Sequence, residues 1–154
     1  ENFITINRGK GYNISKEMGV INSKGIIGIT DNVSNKFARV QSILNSKSNI
    51  NAKFKNNNHY GTLIWDGKDY NIVQLTDIPR QAIFKEGDTI VTGGRSTIFP
   101  NGIPIGTVIK VPEELSAVNS INIKLFNDMS NLGHVYIITN LNKEEIKTVE
   151  NNNE

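Results

Sequence analysis

Tyr60-Gly61-Thr62-Leu63-Ile64-Trp65-Asp66-Gly67-Lys68-Asp69-Tyr70-Asn71-Ile72-Val73-Gln74-Leu75 reads as strand, turn and strand. β-branched and aromatic residues fill both arms, and an Asp-Gly step separates them. That step favours positive φ and matches the twist of paired strands, so a tight hairpin is predicted between residues 62–65 and 70–75.

The same pattern repeats outward in both directions. Upstream lie Phe3-Ile4-Thr5-Ile6, Val20-Ile21, Ile26-Ile27-Gly28-Ile29-Thr30, Val40-Gln41-Ser42-Ile43-Leu44 and Ala52-Lys53-Phe54. Downstream lie Thr89-Ile90-Val91-Thr92, Gly106-Thr107-Val108-Ile109-Lys110-Val111, Ile121-Asn122-Ile123-Lys124-Leu125-Phe126 and His134-Val135-Tyr136-Ile137-Ile138. Period 2 is clear in Ile121, Ile123 and Leu125. Turn residues separate the runs, as in Asn22-Ser23-Lys24-Gly25 and Phe99-Pro100-Asn101-Gly102. Helix is scarce: one turn over 113–118 and a short frayed helix over 143–149. The pattern predicts an all-β protein.

An internal repeat refines this. Ile14-Ser15-Lys16-Glu17-Met18-Gly19-Val20-Ile21 aligns with Ile83-Phe84-Lys85-Glu86-Gly87-Asp88-Thr89-Ile90. Gly25-Ile26-Ile27-Gly28-Ile29-Thr30 aligns with Gly102-Ile103-Pro104-Ile105-Gly106-Thr107, and Asn45-Ser46-Lys47-Ser48-Asn49-Ile50 with Asn127-Asp128-Met129-Ser130-Asn131-Leu132. The order is kept, so Phe3-Ile4-Thr5-Ile6 would match Ile72-Val73-Gln74-Leu75. Two small antiparallel β-barrels follow, with residues 1–57 as the first repeat, 58–142 as the second and 143–154 as a frayed tail. The first repeat lacks a counterpart of residues 60–65. Either an upstream strand is missing or the barrels exchange strands, which would make one domain discontinuous.

Composition narrows the function. The chain has 154 residues, a net charge of +2 and no cysteine. There is no disulfide framework, no thiolate metal site and no cysteine nucleophile. No run is long and apolar enough for a membrane helix. The small net charge, with no basic stripe, gives nucleic-acid binding little support. Asparagine and isoleucine each make up roughly 15% of the chain, which is read as genome bias. The abrupt ends suggest a piece of a longer protein.

Little catalytic chemistry is legible. The two histidines, His59 and His134, stand in a polar loop and at the start of a strand, and no metal-ligand spacing exists. Ser96 follows Thr92-Gly93-Gly94-Arg95 without a nucleophile motif, and Gly93-Gly94 lacks the partner residues of a phosphate loop. Asp66, Asp69, Asp77 and Asp88 fall in turns, where Asp caps its own backbone. Trp65 and Tyr60 sit at opposite parity on one strand, which argues against a sugar platform. No catalytic residue, metal or cofactor is expected. Arg95-Ser96-Thr97-Ile98-Phe99-Pro100-Asn101-Gly102-Ile103-Pro104-Ile105-Gly106 is the most distinctive segment. Its Ile98 and Phe99 are apolar residues on a loop, either an end plug for a barrel or a partner contact.

Gly87-Asp88-Thr89-Ile90-Val91-Thr92-Gly93-Gly94 followed by Phe99-Pro100-Asn101-Gly102-Ile103-Pro104-Ile105-Gly106-Thr107-Val108 resembles the signature of the bacterial rod shape-determining MreC family. Ile6-Asn7-Arg8-Gly9, Met18-Gly19-Val20-Ile21 and Leu75-Thr76-Asp77-Ile78-Pro79 support it. Gly93 replaces a usual Ser, and Tyr12 stands where a Gly-Ile pair is usual. The resemblance implies two six-stranded barrels of chymotrypsin-like shape without catalytic residues, on the periplasmic face of the inner membrane behind an N-terminal anchor. It implies a non-enzymatic scaffold of the cell-elongation machinery that binds a class B penicillin-binding transpeptidase and MreD, and that self-associates. Ile98, Phe99 and Phe126 are the expected partner-binding residues, chosen for apolar character near loops. The rival reading is a chymotrypsin-like hydrolase using Ser96 and His134.

Overall fold

The computed structural model describes residues 2–109 and 120–139. The strands are β1 (Phe3–Ile6), β2 (Gly19–Asn22), β3 (Gly25–Val33), β4 (Ala38–Ser42), β5 (Ile50–Phe54) and β6 (Tyr60–Ile64). They continue with β7 (Ile72–Thr76), β8 (Thr89–Thr92), β9 (Pro104–Val108), β10 (Ser120–Leu125) and β11 (Tyr136–Ile138). One short 3-10 turn, Lys10–Tyr12, is the only helical element among the described residues. The helical turns expected at 113–118 and 143–149 lie outside the described residues, as does the tail over 143–154.

All pairing is antiparallel and forms two sheets. One is a closed barrel of six strands in the order β10-β7-β6-β5-β8-β9, with β9 pairing β10 to complete the ring. The other is a five-stranded sheet in the order β1-β4-β3-β2-β11. Of the two six-stranded barrels expected, one is closed, and the other part of the fold is a five-stranded sheet that does not close among the described residues. Among the described residues no strand bridges β1 to β11, and closure requires every edge to find a partner. The pairing also crosses residue 57: β5 pairs β6 and β8 in the barrel, while β11 returns to pair β2 in the open sheet.

The repeat is visible in the topology. β1-β4-β3-β2 occupy the same relative places as β7-β10-β9-β8. Both β2/β3 and β8/β9 carry a register shift, after Val20 and after Ile90. The next place is filled by β11 in the sheet and by β5 in the barrel. The barrel's remaining strand, β6, has no described counterpart.

Alternation explains the core. In β10, Ile121, Ile123 and Leu125 are buried, whereas Asn122 and Lys124 are exposed. Each such apolar side chain contributes about 1.5–3 kcal/mol on burial. The main core joins both sheets, with Ile26, Ile43 and Leu44 packed among barrel residues such as Phe54, Leu75 and Ile123. A smaller core, Val20, Ile27 and Val40, lies under the open sheet and is covered by Ile4, Ile6, Val135 and Ile137.

The opening hairpin forms, with Thr62 opposite Thr76 and Ile64 opposite Gln74. Its connection, residues 65–71, is wider than the four residues expected between the arms. Gln74 Oε1 accepts the Asp66 N–H at 2.8 Å, and the Trp65 indole N–H donates to the Asp69 carbonyl at 2.9 Å. These bonds pull residues 65–71 into a loop, and Trp65 is buried beneath it with Tyr70 stacked 5.8 Å away.

Candidate partner-binding surfaces

The loop between β8 and β9 is closed at its base by Thr92. Its hydroxyl donates to the Pro100 carbonyl at 2.6 Å and accepts the Ile103 N–H at 2.8 Å. The Gly102 N–H donates to the Thr92 carbonyl at 2.9 Å. Gly94 supplies the positive φ of +76° that lets the chain leave β8. This accounts for the fixed glycines and prolines of the segment: they shape a loop around one buried threonine.

The three expected partner-binding residues fall in different environments. Phe99 is only 4% exposed, and its ring lies against Gly19 at the start of β2, where a Cβ would come within 2.6 Å of Phe99 Cε1. Such packing holds the barrel loop onto the open sheet. Ile98 is half-buried against the main core and lines, with Phe99, a crevice of about 40 Å³. Phe126 follows β10 and is 41% exposed; it does not line that crevice.

No catalytic arrangement is assembled among the described residues. Ser96 Oγ accepts the N–H of Ile98 at 3.0 Å, which caps its own loop. His134 is exposed and His59 half-buried in its turn, and neither hydrogen-bonds to Ser96. Three of the four turn aspartates cap backbone as expected: Asp66 accepts from Lys68, Asp69 from Asn71 and Asp88 from Lys85. Tyr60 is covered by cations, with the Arg95 guanidinium 3.6 Å above its ring, rather than open to a sugar.

Exposed aromatic rings instead line two clefts near the two ends of β1. Phe3 and Tyr70 line a cleft of about 680 Å³ at one end, together with Asp128 and Ser130. Tyr12 and Tyr136 line a cleft of about 620 Å³ at the other, between β1 and β11. Asp128 Oδ1 accepts the Ser130 hydroxyl at 2.5 Å and the Ser130 N–H at 3.0 Å. These bonds, with Lys24 nearby, hold its carboxyl below the usual carboxylate range.

A five-stranded sheet packed on a closed antiparallel barrel, with exposed aromatic rings in two clefts beside β1, defines a paired β-module that offers contact surfaces. The chain belongs to the MreC family: residues 1–139 match the rod shape-determining protein MreC, barrel core. It is 30% identical to a cell shape-determining protein MreC of Listeria monocytogenes over 88% of this chain and 47% of that protein. The chain thus spans about half the length of the curated relatives it matches. Among solved structures, MreC of Listeria monocytogenes superposes with a TM-score of 0.80 at 28% identity, over 90% of this chain and 68% of that one. A structure described as the major periplasmic domain of MreC matches with a TM-score of 0.72 at 23% identity, over 88% and 85% of the two chains. The fold is also that of a chain in the complex between penicillin-binding protein PBP2 and MreC from Helicobacter pylori, with a TM-score of 0.64 and 20% identity over 78% and 75%.

Proposed function

We propose that this chain is the barrel core of a non-enzymatic scaffold for cell-wall synthesis, acting on the periplasmic face of the membrane behind an N-terminal anchor. Its partner is a class B penicillin-binding transpeptidase; MreD and further copies of the scaffold are additional contacts. The observation that carries this reading is the match of residues 1–139 to the MreC barrel core. The Helicobacter pylori complex supports the choice of partner, because an MreC of this fold is bound there to PBP2.

A scaffold alters its partner by binding one of its conformations more tightly than another. Rigid barrel surfaces suit that role, since little ordering cost opposes binding. Phe126 serves as an exposed anchor, Ile98 contributes from the loop margin, and Phe99 keeps that loop in place. Crosslinking mass spectrometry of the chain with the extracytoplasmic part of its cognate transpeptidase tests this. Crosslinks concentrated on Lys24 and Lys124, the lysines around the segment that holds Phe126, support the assignment. Crosslinks no denser there than on Lys16 and Lys36 contradict it.

A further inference from the structure

Asn101-Gly102 is the only Asn-Gly step in the sequence; every other asparagine is followed by a residue with a side chain. In water an Asn-Gly step is chemically labile. The glycine nitrogen can attack the side-chain carbonyl carbon of the asparagine, because no Cβ stands in the way and the glycine backbone turns freely.

The step lies at the tip of the β8–β9 loop, and both residues are exposed. Gly102 has a φ of +95°, and a Cβ placed on it would meet nothing within 4 Å, so water and base reach its amide. The Asn101 carboxamide makes no hydrogen bond to another described residue. Asn22, Asn45 and Asn127, by contrast, are buried and hydrogen-bonded.

Thr92, beneath the tip, opposes this reactivity. It is 1% exposed and binds the peptide groups on both sides of Asn101. Its hydroxyl donates to the Pro100 carbonyl at 2.6 Å, and its carbonyl accepts the Gly102 N–H at 2.9 Å. Its hydroxyl also accepts the Ile103 N–H at 2.8 Å, and its own N–H donates to the Ile103 carbonyl at 2.9 Å. On the other side Asn101 abuts Gly94, where a Cβ would lie 2.7 Å from Asn101 Cβ. Ring closure requires the Gly102 nitrogen to turn onto Asn101 Cγ and to lose its proton. Both require the N–H to leave the Thr92 carbonyl, a buried acceptor with no water at hand to replace the lost donor.

We infer that Asn101-Gly102 is a site of spontaneous deamidation whose rate is set by Thr92. Base takes the Gly102 amide proton, and the nitrogen forms a bond to Asn101 Cγ. The side-chain nitrogen leaves as ammonia, carrying a proton with it, and a cyclic imide remains. Water opens the imide at either carbonyl, giving aspartate or isoaspartate. Either product places a carboxylate at position 101, in the loop whose Phe99 packs on Gly19. The inference concerns the chain itself and does not depend on the proposed partner.

Peptide mapping by mass spectrometry of the folded 154-residue chain, held at mildly alkaline pH beside a synthetic peptide of residues 95–106, tests this. Asn101 should convert in the folded chain at least about tenfold more slowly than in the peptide, since only the opened loop reacts. Thr92→Val keeps the carbonyl but removes the hydroxyl that ties Pro100 and Ile103. It should raise the rate at Asn101 about fivefold, the equivalent of one hydrogen bond, and leave Asn22, Asn45 and Asn127 unchanged. Should that variant unfold, the wild-type Gly102 amide decides: its hydrogen exchange should be slowed about tenfold or more against the peptide. Conversion of the folded wild type at the peptide's rate overturns the inference. So does a folded Thr92→Val that converts no faster than wild type, or a Gly102 amide that exchanges as in the peptide.

Discussion

Phe99 and Gly19 form a lock between the barrel and the open sheet. The ring is 4% exposed, and a Cβ on Gly19 would lie 2.6 Å from Phe99 Cε1 and 3.0 Å from the Ile98 carbonyl oxygen. Gly19→Ala should therefore destabilise the fold by about 1–3 kcal/mol through overpacking. Phe99→Ala should cost about 3–5 kcal/mol by leaving a cavity. Chemical denaturation measures both. If Phe99→Ala left the midpoint unchanged, the lock would not exist. Phe99→Asp is for the same reason a probe of stability first, since it buries a charge.

Asn127 supplies a second tie. It is 5% exposed, and its amide donates to the Ile26 carbonyl at 3.1 Å, joining the end of β10 to β3. Asn127→Ala should cost about 1–3 kcal/mol, because the buried carbonyl loses its donor. Asn45, at the matching place of the repeat, is fully buried and donates to the Asn2 carbonyl at 3.3 Å. A shift of less than about 0.5 kcal/mol for Asn127→Ala would show that this asparagine has no bracing role.

Asp128 makes a pH prediction. The Ser130 hydroxyl, then the Ser130 N–H, and more weakly Lys24 hold its carboxyl below the ordinary value. Its folded pKa lies below its unfolded one, so its contribution is present above the unfolded value, about 3.9, and is lost as pH falls through the folded value. Side-chain carboxyl NMR should show Asp128 titrating below that value, and Ser130→Ala should move it upward. An unchanged titration in Ser130→Ala would contradict the hydrogen-bond origin.

Strand positions were largely legible because alternation is a local property. The runs at Phe3, Ile26, Ile72 and Ile121 all lie in strands. What local pattern does not carry is closure. Whether β11 joins β2 depends on partners far apart in the chain. The Asp66-Gly67 step suggested a tight hairpin joining residues 62–65 to 70–75, but the Gln74 side chain and the buried Trp65 indole hold a wider loop. Phe99 read as an apolar loop residue, either an end plug for a barrel or a partner contact. Its burial is set by Gly19, whose missing side chain makes the space. The aromatic clefts beside β1 were not legible, because Phe3 and Tyr70 in one, and Tyr12 and Tyr136 in the other, are far apart in sequence.

The proposed function requires this barrel core to hold a penicillin-binding transpeptidase. Isothermal titration of the extracytoplasmic part of the cognate transpeptidase into the chain measures it directly. Saturable binding, weakened by Phe126→Asp while the thermal transition stays in place, is the predicted result. Absence of saturable heat with a folded, active transpeptidase would contradict the proposed function.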